Sequence, residues 1–563
     1  MKHKSRELPA AQLPQLAVAM IVRNAEKTLP PTMESIRSLA DIIVVVDTGS
    51  ADDTVNVARQ YTPNVFSVDW DQSFSTARNA CLENVRSQWV LWVDAGEFLT
   101  DTDARELREF VETQADANTA YMMMIRAERS PQAIAAEQVA RVRLLPNQPG
   151  IQFVGRVRED VTPSLEALGV SVEGIPWRIQ RTAAHHDPSV RINKARRDLE
   201  LSELEINERG AHARALNCLG EALHTIGENA RAGECFRHAI KNAARGSVDM
   251  LEGYFGLLTS IDGEPHSLEA QLAVCLEALE VFSLDMQLLC AMGGYLQSQN
   301  RLDLAARSYE TAYRYGQIVP ETWHLEEIRE ISAVCYCLAL QNHGQNDAVL
   351  SFLEEAVAEN PHSIRLRTVA IEAYCKRQQR VDALRHAESL PTDISHFDTF
   401  PAIIDGICLA ASEQWKPASA LLESAYQAGN RDALCLRWLV SALIARADIH
   451  RAEQIITEWR EIEPGNLELL RYQTVIDNQR SDTVQPESTR PAGAVAVNKQ
   501  PSIQPDAPHP AKTAPRVPSK KAAIGTIPAP PAKHRANPVR IDSAGPPRRV
   551  EPPTAPDFSQ LTD

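Results

Sequence analysis

The chain has 563 residues, too many for one hydrophobic core, and its length corresponds to about three or four domains. Hydrophobic residues make up 44% and charged residues 23%, as in soluble globular proteins. The net charge is −16, and the 83 residues from Ser481 onward hold 11 basic and 7 acidic side chains, so the preceding part carries −20. A body this acidic repels phosphate backbones, which argues against broad nucleic-acid binding.

The sequence also bears on the cellular compartment. No apolar run approaches the roughly 20 residues that cross a bilayer. The first residues are basic and then apolar, but Gln12, Pro14 and Gln15 interrupt the run, which favours a buried strand over a signal peptide. None of the ten cysteines forms a CxxC pair, which is typical of reduced core thiols. We therefore expect a cytoplasmic protein.

Strand and helix patterns alternate from Leu16 to Ile125. Because the strands are short apolar runs separated by helical spacing, the order predicts a mostly parallel sheet with right-handed crossovers. Residues 141–161 complete the same domain with short strands and turns. The predicted strands are Leu16–Val22, Asp41–Val46, Val65–Val68 and Trp89–Val93, and the predicted helices are Lys27–Leu39, Thr54–Tyr61 and Phe74–Val85.

The second half of the chain repeats itself. Small and bulky residues recur at three fixed offsets in six segments, and the last four segments lie 34, 35 and 34 residues apart. This pattern resembles the tetratricopeptide (TPR) repeat, a helical hairpin whose small residues let the two helices approach closely. The six sets are Ala232, Phe236, Ala239; Ala305, Tyr309, Ala312; Val349, Leu353, Ala356; Ala383, Ala387, Leu390; Ala418, Leu422, Ala425; and Ala452, Ile456, Trp459.

These patterns predict five segments. Residues 1–15 form a flexible N-terminus, 16–188 an α/β domain and 189–210 a connecting helix. Residues 211–475 form the all-α repeat array. Residues 481–563 hold 17 of the 35 prolines without apolar periodicity, so we expect a disordered, proline-rich tail.

Three loops of the α/β domain follow predicted strands. They read MIVRNAE after the first strand, DTGSADDT after the second and DAGE after WVLWV. In a parallel sheet, ligands bind beyond the carboxyl ends of the strands, so these loops are where chemistry is expected. Acidic groups there can accept hydrogen bonds from a ribose or a nucleobase. Asp52 and Asp53 have a simpler interpretation as caps of the following helix.

The motifs MIVRNAE, VVVDTGSADDT, SFSTARNACLENV and WVLWVDA together resemble the bacterial family-2 glycosyltransferases, particularly those fused to TPR arrays. The resemblance runs from Leu16 to Leu99 and continues more weakly to Leu201. It implies a GT-A fold, which is an α/β sheet that binds a nucleotide sugar, here of UDP type. It also implies a donor site formed by Asn24, Glu26, Asp47, Gly49, Arg78, Asn79, Asp94, Arg158 and His185.

The sequence departs from the family pattern at two positions. Gly96 stands where the family has the second aspartate of its DxD metal motif, and Arg158 stands where a histidine is common. The predicted Mn²⁺ or Mg²⁺ ligands are then only Asp94 and Glu97, a thin set for a hard cation. In one interpretation Arg158 replaces the metal by stabilising the leaving diphosphate. In the other the catalytic site has decayed.

An inverting transfer needs a carboxylate that removes the acceptor's proton. Glu159 and Asp160 are the predicted bases, with Asp187 third. We therefore predict a glycosyltransferase whose TPR array presents a protein, peptide or glycan acceptor. The alternatives are a catalytically degenerate pseudo-glycosyltransferase that acts as a TPR scaffold, and a nucleotide-sugar sensor that binds the donor without turnover.

Overall fold

The computed structural model describes residues 15–484, apart from 130–132, 134, 183–186, 262–266, 391–396 and 464–466. Most of the predicted N-terminal segment and of the proline-rich tail therefore lies outside the described residues. One boundary changes, because the last helix continues through residues 481–484, which the sequence assigned to the tail. No helix in the described part of the chain is long and apolar enough to span a bilayer.

One mixed sheet forms the N-terminal domain and receives one strand from the second half of the chain. Its strands run in the spatial order β3-β2-β1-β4-β7-β6-β8-β5, and β9 pairs with β7. The strands are β1 (Leu16–Val22), β2 (Ile42–Asp47), β3 (Val65–Ser67), β4 (Trp89–Trp92), β5 (Glu97–Phe98), β6 (Thr119–Ala127), β7 (Glu137–Pro146), β8 (Ser171–Arg181) and β9 (His324–Leu325).

The predicted parallel arrangement holds for the first four strands. β2 and β4 lie on either side of β1 and run parallel to it, and β3 extends this part beyond β2. The remaining strands are mixed, because β7 pairs antiparallel with both β4 and β6, and β5 pairs antiparallel with β8. The sheet is thus parallel on the side that carries the three predicted loops.

Helices cover both faces of the sheet. Alternate residues of β1 enter opposite cores, since Val18 and Met20 pack with helices α1, α2 and α4, while Ala17 and Ala19 pack with α3 and α5. This explains why β1 is apolar at every position: its side chains point alternately to two buried faces. The helices are α1 (Leu29–Ile36), α2 (Thr54–Tyr61), α3 (Phe74–Asn84), α4 (Asp101–Thr113) and α5 (Thr162–Leu168).

Helical hairpins make up the rest of the described chain. A long helix, α6 (Pro188–Arg209), occupies the segment predicted to connect the two parts. The following helices are α7 (Ala213–Thr225), α8 (Asn229–Asn242), α9 (Val248–Ser260), α10 (Ser267–Leu279), α11 (Met286–Ser298), α12 (Leu302–Tyr315), α13 (Ile328–Asn342), α14 (Asn346–Glu359), α15 (Ile364–Lys376), α16 (Arg380–Glu388), α17 (Phe400–Ala411), α18 (Trp415–Gln427), α19 (Ala433–Ala445), α20 (Ile449–Ile462) and α21 (Leu467–Val484).

The residues at the repeat offsets form the core of this array. All six predicted sets are buried, including Ala232, Phe236 and Ala239 at 1% exposure or less. Glycine makes the closest approach possible: a Cβ on Gly256 of α9 would lie 2.2 Å from the Phe236 ring. The predicted fold class, an α/β domain followed by a TPR-like solenoid, is confirmed.

Candidate active site

The loops after β1 and β2 are joined by hydrogen bonds. The Asn24 amide nitrogen donates to the Ser50 hydroxyl at 2.9 Å, and the Asn24 side-chain oxygen accepts from the Ala51 amide at 2.8 Å. Asn24 has a left-handed φ of 51°, a conformation that asparagine tolerates. The Glu26 carboxylate accepts from the Asp53 amide at 3.2 Å. Both residues therefore fix the shape of the paired loops.

Asp47 organises the second loop from the end of β2. Its buried carboxylate accepts hydrogen bonds from the amides of Gly49 and Ser50, each at 3.0 Å, and from the Ser50 hydroxyl. Gly49 has φ +94°, which favours glycine, and the space around it is open. The structure places Asp47 at the expected edge of the sheet, and its contact with a nucleobase stays a prediction.

Asp94, two residues beyond the end of β4, is surrounded by cationic groups. One oxygen accepts from the Trp92 indole at 3.0 Å and from Arg78 at 3.4 Å, while the other accepts from both terminal nitrogens of Arg143 at 3.2 Å. Burial acts to raise the pKa of Asp94, but the charges of Arg78, Arg143 and Arg181 hold that pKa well below its usual range. These charges favour the ionised carboxylate, and 32% of the side chain is exposed.

Glu97 connects the backbone of Asp94 to two arginines. It is 1% exposed, and one carboxylate oxygen binds Arg143 at 2.9 Å and Arg181 at 2.7 Å. The other oxygen accepts from the Asp94 amide at 3.0 Å. Glu97 therefore ties the Asp94 loop to β7 and β8.

The predicted metal ligands do not fit a divalent cation. Asp94 and Glu97 each bind guanidinium groups, whose charge repels a metal. Among the described residues, no group of three or more His, Cys, Asp or Glu side chains is placed to hold one. Gly96 has φ +93°, and a Cβ there would have its closest contacts at 3.8 Å, so a second aspartate at this position would be strained by backbone conformation and not by crowding.

Arg78 joins two of the predicted site carboxylates. It projects from α3, and its guanidinium lies 4.3 Å from the centroid of Trp92 and 5.3 Å from that of Phe153. It pairs with Glu159 through Nε and with Asp94 through Nη2. The structure thus brings Glu159, from the segment after β7, to the same cation as Asp94.

Arg158 and Asp160 point towards the helical array. Arg158 pairs with Glu221 of α7 and, at 2.8 Å, with Glu252 of α9. Asp160 pairs with Arg214 of α7, and although burial acts to raise its pKa, this arginine lowers it. Both side chains are therefore occupied at the junction between the two parts of the protein. Their predicted roles in phosphate binding and proton removal gain no support from these contacts.

The other predicted residues have structural contacts or lie outside the described chain. The Asn79 side chain exchanges two hydrogen bonds with the Phe153 backbone, at 2.8 and 2.9 Å, and so holds that segment against α3. Asp187 caps α6 by accepting from the Ser189 amide at 2.8 Å. His185 falls outside the described residues.

Arg143 and Arg181 were not predicted from the sequence. Arg143 is only 5% exposed and lies in β7 directly before the buried residues Leu144 and Leu145. A charged residue within a buried run is the one signal that the sequence offered, because such a residue needs a buried partner. Arg181 ends β8 and gave no local signal.

A cavity of about 550 Å³ lies along the array beside this site. Glu252, the partner of Arg158, contributes to its wall, as does Trp323 from the segment before β9. The lining includes aromatic, hydroxyl and amide side chains, among them Phe255, Tyr295, Thr225, Thr259, Gln271 and Gln287.

Residues 17–148 match the family model described as glycosyl transferase family 2. The N-terminal part is a family-2 glycosyltransferase domain. The chain is 33% identical over 169 residues to a TPR repeat-containing protein of Synechococcus elongatus, covering 30% of this chain and 40% of that protein. It is 20% identical over 231 residues to the glycosyltransferase SunS of Bacillus subtilis, covering 41% of this chain and 54% of SunS.

The chain thus spans about half the length, or less, of these curated relatives. Among solved structures, a tetratricopeptide repeat protein from Parabacteroides merdae aligns with a TM-score of 0.34 and 13% identity, over 47% of this chain and 99% of that one. In this chain the region that matches the family-2 model is followed by the array of helical hairpins described above.

Proposed function

We propose that this protein transfers a sugar from a nucleotide-sugar donor of UDP type to a protein, peptide or glycan acceptor held by the repeat array. The observation that carries the proposal is the placement of Asp94 among Arg78, Arg143 and Arg181 at the end of β4. Because β2 and β4 flank β1 in parallel, Asp47 lies at the same edge of the sheet. We place the base, ribose and diphosphate of the donor along this edge.

The arginines supply the charge that a metal supplies in other glycosyltransferases. As the sugar's anomeric carbon is attacked, its bond to the diphosphate oxygen breaks and negative charge builds on the leaving nucleoside diphosphate. Guanidinium groups stabilise such charge through directed hydrogen bonds. Arg78 and Arg143 contact Asp94 at the end of β4, whereas Arg158 contacts Glu221 of the array, so position favours Arg78 and Arg143.

Glu159 is our proposed general base. It shares Arg78 with Asp94 at the end of β4, whereas Asp160 pairs with Arg214 of the array. In an inverting transfer, Glu159 removes the acceptor's proton while the acceptor oxygen bonds to the anomeric carbon. The cavity of about 550 Å³ beside the domain is the proposed place for the acceptor.

Titration calorimetry with UDP, GDP, ADP and CDP, in Mn²⁺ and in EDTA, tests the donor site. We expect one nucleotide, UDP, to bind with an affinity that barely depends on metal. Arg143→Lys and Arg78→Lys should weaken binding, since lysine lacks the bidentate geometry. Arg37→Lys, at an exposed pair with Glu34 at 3.9 Å, is the control. Absence of binding by every nucleotide contradicts the proposal.

A degenerate enzyme is the second candidate, and a specific observation favours it. Gly96 replaces the expected acid, and Arg158 is committed to Glu221 and Glu252 of the array. In that case the domain is a pseudo-glycosyltransferase within a TPR scaffold. Turnover separates the candidates: release of UDP from a UDP-sugar that is lost in Asp94→Ala rules out the scaffold. Binding without turnover, coupled to a change in a partner's affinity, indicates the sensor.

A further inference from the structure

The segment between α12 and α13, residues 316–327, joins the array to the sheet of the glycosyltransferase domain. β9 within it pairs with the start of β7. Next to β9, the Glu326 carboxylate binds Arg126 of β6 at 2.7 Å and Arg178 of β8 at 2.9 Å. This segment is therefore held by three strands of the domain, although it belongs to the array in sequence.

Trp323 is the residue that this segment places beside the donor site. Its ring centroid lies 5.8 Å from the guanidinium carbon of Arg181, and the residue is still 37% exposed. The backbone is fixed on both sides, by β9 after it and by a hydrogen bond of 2.6 Å from the Ala140 amide to the Pro320 carbonyl before it. Backbone pairing thus fixes the part of the chain from which the Trp323 ring projects.

Arg181 links Trp323 to the loop that contains Asp94 and Glu97. It binds Glu97 at 2.7 Å, and Glu97 accepts from the Asp94 amide at 3.0 Å. The charge of Arg181 also lowers the pKa of Asp94. A chain of contacts therefore runs from the array to the proposed donor site, through the side chains of Trp323, Arg181 and Glu97 to the backbone amide of Asp94.

We propose that Trp323 is a positioning residue for donor binding, supplied by the repeat array. An aromatic face attracts a guanidinium without neutralising it, so Arg181 is held against Glu97 while its charge still acts on Asp94. A carboxylate at position 323 would instead compete for Arg181. Because Trp323 also lines the cavity of about 550 Å³, an acceptor there contacts the residue that orients the donor loop. This inference rests on the proposed function for the donor.

Two readouts on the full-length protein test the inference. The first is hydrogen exchange of residues 94–99 without ligand, which follows the Glu97–Asp94 contact directly. The second is the dissociation constant for UDP. Trp323→Leu keeps an apolar side chain but removes the ring, whereas Trp323→Phe keeps a ring. Tyr315→Ala removes another exposed aromatic, at the end of α12, and serves as the control.

We expect Trp323→Leu to speed exchange of residues 94–99 and to weaken UDP binding, each by about two- to fivefold, the range of an exposed cation–π contact. Trp323→Phe should restore both, and Tyr315→Ala should change neither. Equal exchange in Trp323→Leu and Trp323→Phe overturns the inference, as does unchanged UDP affinity in Trp323→Leu. If exchange responds as expected but the wild type binds no UDP, the proposed function fails while the positioning of the loop stands.

Discussion

Replacing Arg143 with methionine removes the guanidinium that bridges Glu97 and Asp94. Both members of the Arg143–Glu97 pair are buried, with side-chain exposures of 6% and 1%, and their contact is 2.9 Å. Breaking a buried ion pair by removing one partner costs about 3–5 kcal/mol, because it leaves a charge without its partner. Arg181 still binds Glu97, so we expect the lower end, about 3 kcal/mol.

Hydrogen exchange over residues 89–99 measures this locally, which avoids assuming two-state unfolding of a multidomain chain. A loss of about 3 kcal/mol corresponds to roughly 100-fold faster exchange. Adding Glu97→Gln to Arg143→Met should recover part of the loss, since it removes the fully buried Glu97 charge; Arg181 then loses its partner, but its side chain is 27% exposed. Arg37→Met, at an exposed pair, should leave exchange unchanged. A change of less than about threefold in Arg143→Met would refute this account of the pair.

Three further predictions concern stability, measured by thermal unfolding. Gly256→Ala should destabilise the array by about 1–3 kcal/mol through its 2.2 Å approach to the Phe236 ring, whereas Gly294→Ala, whose nearest contact is 3.7 Å, should not. Burial raises the pKa of Asp285 to about 6, so the ionised side chain destabilises the folded protein at pH 8. Asp285→Asn should therefore stabilise the protein at pH 8 by up to about 3 kcal/mol, and this gain should shrink as the pH falls from 6 towards 4. A gain that does not depend on pH contradicts this prediction. Burial lowers the pKa of His324, so the folded state favours the neutral ring. As the pH falls below about 6.5, the wild type should therefore lose stability faster than His324→Gln. Equal losses of stability in the two proteins contradict this prediction.

The local elements of the glycosyltransferase domain were readable from the sequence. β1, β2 and β4 are continuous apolar runs because both of their faces are covered, and the polar loops follow them directly. The repeat period was equally readable, since each hairpin buries its small residues against its neighbour. These features depend on residues close together in sequence.

The arginines of the site, Arg143 and Arg181, could not be predicted from the sequence. Arg143 and Arg181 reach Asp94 and Glu97 only because β7 pairs antiparallel with β4 and β8 pairs with β5. These contacts span 46 to 84 residues of sequence, and no periodic pattern specifies them. Arg158 shows the converse. Its position in the sequence suggested a phosphate ligand, but in the structure it pairs with Glu221 and Glu252 on helices of the array.

The strand that the array adds to the sheet, β9, could not be predicted from the sequence either. β9 has two residues, far below the length of a recognisable strand, and it lies between two helices of the repeat region. Its pairing with β7 is a tertiary event, made possible by the edge that β7 leaves open at its start. The sequence therefore predicted two separate modules, whereas the structure joins them through one sheet.

The most direct test of the account is the release of nucleoside diphosphate from a panel of UDP-sugars by the wild type and by Asp94→Asn. Asparagine keeps the size of the side chain but removes the charge that Arg78 and Arg143 surround. We predict measurable release by the wild type in EDTA and a loss of at least about 100-fold in the variant. Equal rates in the two proteins, or no release by the wild type from any donor, would contradict the claim that this edge of the sheet catalyses glycosyl transfer.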